Sequence, residues 1–201
     1  MVVPDEAVFN MRAVTLDKDL LNAQLRNDEV VKKVLALARK YQIPATQVQT
    51  GRISLEESYS DEEATEKPRV FLGYFVRKSI AIILRDVSKA ELLLADIFKT
   101  GITSIDNVEF RTTEIRKFKD QARAMAIRAA QEKASALAKE IGQSIGKAYS
   151  ISEEGPDNSA ASNSNSFRSL GAGGSYSAEE STIALGQISI TARVVVSFEL
   201  K

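Results

Sequence analysis

Cysteine, histidine and tryptophan are absent from this chain of 201 residues. Without Cys or His there is no zinc site of the usual ligand sets, no thiol redox couple, no Cys–His pair and no Ser–His–Asp triad. Carboxylates, Lys, Tyr, Ser and Thr remain for catalysis, and no nucleophile–base pair is visible among them. The lack of Cys fits reducing and oxidising compartments equally. A charge excess is also missing, because 27 Lys plus Arg balance 27 Asp plus Glu. Nucleic-acid binders usually carry a basic excess, so that class loses weight. No apolar run reaches the ~18 residues that a membrane-spanning helix needs. The opening MVVPDEAVFN has neither a basic n-region nor an apolar h-region. It fits either a cytoplasmic protein or a mature form whose signal has been removed.

What is present is an ordinary globular composition, 44% hydrophobic and 27% charged. A chain of this length can bury about 70% of its unfolded surface. Ala7, Phe9, Met11 and Ala13 alternate with polar or smaller neighbours and predict a strand. A helix follows, capped by Asp17 or Asp19 and running to about Tyr41, with Leu20, Ala23, Val31, Val34 and Ala38 on one stripe and Pro44 beyond it. Residues 46–58 predict a strand whose apolar phase switches across Gly51, as a bulge there would cause. Acidic residues 61–63 and Pro68 form a connection to a long strand with Ile80, Ile82 and Leu84 on one face. Ser88 and Glu91 have capping-box spacing for a short helix ending near Gly101. Residues 103–113 predict a strand, 113–141 a long helix stopped by Gly142, and 147–154 another strand. Residues 155–181 hold eight Ser, four Gly and three Asn and predict a mobile loop. It is either a plain surface excursion or a partner-contacting segment anchored by Phe167, Leu170 and Tyr176. From Ile188 to Leu200 the alternation is unbroken and predicts the clearest strand of the chain, buried on one face.

The predicted order is β-α-β-β, a linking helix, then β-α-β-β. It implies an α+β fold, a mainly antiparallel sheet covered by helices. Leu37-Ala38-Arg39 and Leu137-Ala138-Lys139 sit at equivalent points of the two long helices. They point to a single domain over 1–201 with half-repeats 1–85 and 101–201 joined by helix 88–100.

The long helix is unusual in composition. Eight of the twenty residues from Gln121 to Glu140 are alanine. Its apolar positions span an arc of roughly 200°, against the ~100° stripe of an ordinary surface helix. Such a helix is either held on its own sheet, with alanine serving helix propensity, or touched on a second flank by another subunit. That flank would hold Ala124, Ile127 and Ala138. Lys133 lies near the middle of the arc, where it snorkels or meets a carboxylate, with a catalytic lysine as the sharper alternative.

Five stretches carry a resemblance. They are VVPDEA (2–7), QVQT (47–50), GYFV (73–76), AIRAAQEKASALAKEIGQSIGKAYSISE (126–153) and GQISITARVVVSFEL (186–200). In this order and spacing the chain resembles the SIMPL-domain family of bacterial envelope proteins. Members of that family usually begin with one more strand ending in Gly, often behind a signal peptide or lipid anchor. The resemblance implies an antiparallel sheet with helices, assembly into homo-oligomers that are ring-like or channel-like in some relatives, and a periplasmic or cell-envelope location. It also implies a link to stress tolerance and, in some relatives, immunogenic surface antigens. It carries over no catalytic residue, cofactor or metal ligand.

Other chemistry is weakly signalled. The acidic pairs and triplets at 56–57, 61–63 and 153–154 lack the spacing of a calcium loop and suit solvated turns. Gly171 to Gly174 has no Lys-Ser/Thr step after it, so a phosphate loop is disfavoured. The basic run near Arg116 to Lys119 is flanked by Glu114 and Asp120, as on a solvated helix face. The expectation is a non-enzymatic, self-assembling envelope protein. The alternative is a monomeric or dimeric module that binds a small ligand or peptide.

Overall fold

The computed structural model describes residues 1–60, 69–154 and 185–201. The acidic connection with Pro68 and the serine-rich stretch 155–181, with Phe167, Leu170 and Tyr176, lie outside the described residues. The chain divides at Arg111 into two compact units. Among the described residues the elements follow the order β-α-β-β-α-β-α-β-β, an α+β architecture with antiparallel pairing throughout.

The larger unit holds β1 (Glu6–Asp17), α1 (Leu20–Lys40), β2 (Val48–Tyr59), β3 (Phe71–Leu84), α2 (Ala90–Phe98) and β4 (Ser104–Arg111). Its sheet has the order β2-β3-β1-β4. Strand β1 is central because its alternation buries Ala7, Phe9, Met11 and Ala13 completely or nearly so. Opposite them on β3, Ile80, Ile82 and Leu84 are buried, and α1 and α2 supply Val34, Leu93 and Ile97 to the same cluster. Asp19 caps α1, its carboxylate accepting from the Asn22 N–H at 2.9 Å. The bulge near Gly51 is present, with Gly51 and Arg52 together facing the single position Ser79.

The stripe on α1 differs from expectation at two places. Leu20 is exposed, and Asn27 is fully buried on the sheet side. The Asn27 Nδ2 donates to the Ala13 carbonyl at 3.0 Å and the Val76 carbonyl at 2.9 Å, tying the helix to both central strands. The next residue, Asp28, pairs with the largely buried Lys78 of β3.

Three further expectations are corrected. Ser88 and Glu91 form no capping box. Lys89 is the cap residue of α2 without a side-chain cap bond, because a 3-10 turn precedes the helix and Ser88 Oγ donates to Asp86 instead. The strand expected over 103–113 is shorter, Ser104–Arg111, and pairs with β1, so the unit boundary falls after it. The last strand is shorter than its alternation predicts. Regular pairing covers β6 (Val194–Leu200) alone, and Ile188 makes an isolated bridge to Val2.

The smaller unit holds α3 (Ile115–Glu140), β5 (Ile145–Glu153) and β6, with residues 1–3 joined through the Val2–Ile188 bridge. Strands β5 and β6 form a two-stranded sheet. Gly142 ends α3 in the left-handed region with φ +72, its N–H donating to the Lys139 carbonyl at 3.1 Å.

Candidate functional site

Two strands cannot cover a broad apolar helix, and the consequence defines the candidate surface. Helix α3 rests on the hairpin along one row of alanines spaced four apart. Ala122, Ala126, Ala130 and Ala134 are half-buried, and Ala138 closes the row at 3% exposure. The helix is thus held on its own sheet along this row, and the strands of its own chain do not reach a second flank. The covered seam is narrow, and the methyl groups of alanine let the hairpin approach along it.

The adjacent row, again spaced by four, is Met125, Ala129, Lys133, Leu137 and Ile141, and every member is exposed. Met125 stands at 69% exposure. On the hairpin, Tyr149 at 71%, Ile151 and Leu200 are also exposed. Large apolar side chains are thus exposed on both the helix and the strands of the smaller unit. Arg123 locks the helix to the hairpin. Its Nε donates to both oxygens of Glu153 at 3.0 Å, and its Nη1 to Asp120 at 2.9 Å. These partners raise the guanidinium pKa further, Glu153 first.

The three flank residues named from the sequence differ in exposure. Ala138 is buried by its own chain. Ala124 is exposed on the polar back of the helix, and Ile127 is exposed on a row with Gln131, Ser135 and Lys139. Lys133 lies inside the exposed apolar row. Among the described residues no grouping of acidic side chains could hold a metal ion.

The larger unit offers a second feature. Its sheet carries α1 on one face, and the other face bears a trough of about 450 Å³ lined by Asn10, Met11, Gln49, Gly51, Ser79, Ile80, Ala81, Asp106 and Asn107. Asn10 points there because its neighbours Phe9 and Met11 point into the core. The polar side chains of the trough are largely satisfied by one another and by their neighbours. Asn10 Nδ2 donates to Asn107 Oδ1 at 2.8 Å, Arg12 Nε donates to Asp106 Oδ1 at 2.8 Å, and Ser79 Oγ donates to the Arg52 carbonyl at 3.2 Å.

Asp96 of α2 forms a structural knot with the end of α1. Its carboxylate accepts from Lys40 Nζ at 2.7 Å, Lys99 Nζ at 2.9 Å and the Tyr41 hydroxyl at 3.0 Å. The Lys40 bond, then those of Lys99 and Tyr41, hold the Asp96 pKa well below the usual carboxylate range. A depressed carboxylate contributes stability above its unfolded pKa and loses it as pH falls through the folded value. Asp96→Asn is therefore expected to destabilise the protein at neutral pH, with the difference from the parent vanishing toward strongly acidic pH. Urea unfolding across pH checks this, and a pH-independent difference would contradict it.

The SIMPL family model, described as a protein of unknown function (DUF541), matches residues 1–198 and so spans both units. The 26 kDa periplasmic immunogenic protein of Brucella melitensis is 26% identical over 152 residues, covering 75% of this chain and 61% of that protein. The uncharacterized protein YggE of Escherichia coli K12 is 25% identical over 149 residues, covering 74% and 59%. The matched part is thus about three fifths of these relatives' length. Among solved structures, AtUAH in complex with glyoxylate aligns with TM-score 0.31 and 10% identity, over 62% of this chain and 33% of that one. A hydantoinase/carbamoylase family amidase from Burkholderia ambifaria aligns with TM-score 0.29 and 9% identity, over 62% and 34%. Likeness this low carries no functional argument. Among the described residues no helix is long and apolar enough to cross a membrane.

Proposed function

The chain belongs to the SIMPL family, and from that premise we propose that it is a non-enzymatic protein of the bacterial cell envelope whose working form is an assembly of its own copies. One observation carries this reading: the exposed row Met125, Ala129, Leu137 and Ile141 beside a seam that the hairpin fills only narrowly. Water contact with these side chains is unfavourable by about 25 cal/mol per Å² of apolar surface, so a second copy laid along the row gains what the hairpin leaves uncovered. The name of the Brucella relative supports a periplasmic setting. The absence of Cys and His from the sequence removes thiol nucleophiles, His-based triads and the usual zinc ligand sets. A ring-like or channel-like form and a part in stress tolerance are the finer expectations that follow from the family resemblance.

Light scattering on the purified chain tests the assembly. The parent is expected to exceed its 22.0 kDa monomer mass at micromolar concentration. The double variant Met125→Glu, Leu137→Glu is expected to have a smaller scattering mass than the parent with unchanged circular dichroism, since both side chains are exposed. A parent that stays monomeric at high micromolar concentration defeats the proposal.

The ligand-binding alternative rests on the trough of the larger unit. A small-molecule site is usually concave and mostly apolar with a few unsatisfied polar groups. This trough is open, and the side chains of Asn10, Asn107 and Asp106 already bond one another or Arg12. Self-assembly is therefore the better-supported function.

A further inference from the structure

Strand β2 ends the four-stranded sheet, and among the described residues it pairs with β3 alone. An edge of 12 residues offers a long row of outward N–H and C=O groups for another strand. The bulge at Gly51 and Arg52 interrupts the ladder to β3, but Ile53 to Ser58 runs in unbroken register against Lys78 to Gly73. On the α1 side of this run, Ile53 is 62% exposed and Leu55 is 53% exposed. The other side carries Arg52, Ser54 and Glu56, since Ser54 faces Arg77 and Glu56 faces Phe75 across the ladder. The edge thus carries Ile53 and Leu55, followed by Glu57, on one face and bears both charge signs on the other.

We propose that a second copy of the chain adds to this edge, β2 against β2, about a two-fold axis passing through Ser54, so that two four-stranded sheets continue into one. A two-fold axis normal to the sheet keeps each face on its own side, so residues meeting across it are an even number apart in sequence. That leaves three central registers, and side-chain pairing separates them. With the axis at Ser54, Ile53 meets the partner's Leu55 and Arg52 meets the partner's Glu56, each pair occurring twice. With the axis at Leu55, Ile53 meets a carboxylate, the partner's Glu57. With the axis at Glu56, two Glu56 carboxylates face each other and Leu55 meets the partner's Glu57. Only the first register pairs apolar with apolar and opposite charge with opposite charge. Arg77 already holds Glu56 Oε2 at 2.6 Å, which fixes this carboxylate on the face where the partner's Arg52 arrives. The contact extends the self-assembly proposed above but uses the other unit of the chain, so either contact can be lost alone.

The natural chain contains no thiol, which makes cysteine placement a clean test. Ser54→Cys is expected to give a disulfide-linked dimer under mild oxidation. Ser58→Cys, which faces the partner's Thr50 in this register, is expected to stay monomeric on the same gel. The Ser54→Cys link should survive Met125→Glu, Leu137→Glu, which separates this contact from the α3 row. In the cysteine-free chain, amide exchange over residues 53–58 is expected to slow as protein concentration rises, and Arg52→Glu is expected to shift that dependence at least about tenfold, by loss of the paired charges. Faster cross-linking through Leu55→Cys would overturn the register. Exchange over residues 53–58 that is independent of concentration would overturn the pairing itself, and would leave a strand from a different protein as the occupant of the edge.

Discussion

Gly73→Ala is expected to destabilise the larger unit by about 3 kcal/mol, more than a strand glycine normally would. Gly73 sits in β3 with φ +146, a conformation that L side chains rarely adopt. An added Cβ would lie 2.5 Å from the Asp17 carbonyl oxygen and 2.8 Å from its carbon. The obstruction is backbone, so no rotamer change relieves it. Backbone movement there is opposed from several sides. Asp17 pairs with Tyr74, its Oδ1 accepts from the Asp19 N–H at 3.0 Å, and its Oδ2 meets Arg26 at 3.1 Å. The close approach has a local cause, because β3 carries an extra residue against β2 at this point, where Ser58 faces Gly73 and Tyr59 faces Phe71. Urea unfolding of the parent and of Gly73→Ala measures the effect. A loss below about 1 kcal/mol would mean that the strand relaxes away from Asp17, against the expected rigidity.

Asn27→Asp is expected to cost about 3 kcal/mol or more at neutral pH, although it changes a single atom group. The amide Nδ2 is the donor to two strand carbonyls, and the side chain is wholly buried. A carboxylate at that position presents oxygen to oxygen and must lose its hydration. Burial and the two carbonyls both favour the neutral acid, so the introduced carboxyl has a raised pKa in the folded state. The sign follows from linkage. A carboxyl that binds its proton more tightly when folded is best tolerated below its unfolded pKa, and its penalty grows as pH rises above that value. Asn27→Ala, by contrast, strands two carbonyls without introducing a charge, and its cost of about 2 kcal/mol should not vary with pH through this group. Unfolding of both variants at several pH values distinguishes them. Equal pH dependence would show that Asn27 does not make the two bonds.

Asn27 also shows where sequence reading stopped short. It lies four residues from Ala23 and four from Val31 on the apolar stripe of α1. A polar residue at a stripe position was the available signal, but periodicity alone does not say which carbonyls it would reach. The bulge at Gly51 and the Asp19 cap were legible because each has a local cause, a phase switch in one case and a short acceptor before a helix in the other. The capping box at Ser88 was misleading for the same local reason. The spacing was right, but Asp86 two residues earlier captured the hydroxyl.

Alternation, helix periodicity and punctuation by Gly and Pro act over a few residues, and a linear chain displays them in full. They determined the α+β class, the element order, the buried faces of β1 and β3, and a long alanine helix ending at Gly142. The absence of His and Cys likewise set the chemical repertoire before any folding was considered. What the helix would touch depended on how wide a surface the rest of the chain could lay against it, a quantity that no window of sequence contains. Tertiary structure decided that β4 joins β1, so that β5 and β6 are left as a two-stranded support. So narrow a support covers one alanine row and leaves the row of Met125, Leu137 and Ile141 beside it open to solvent.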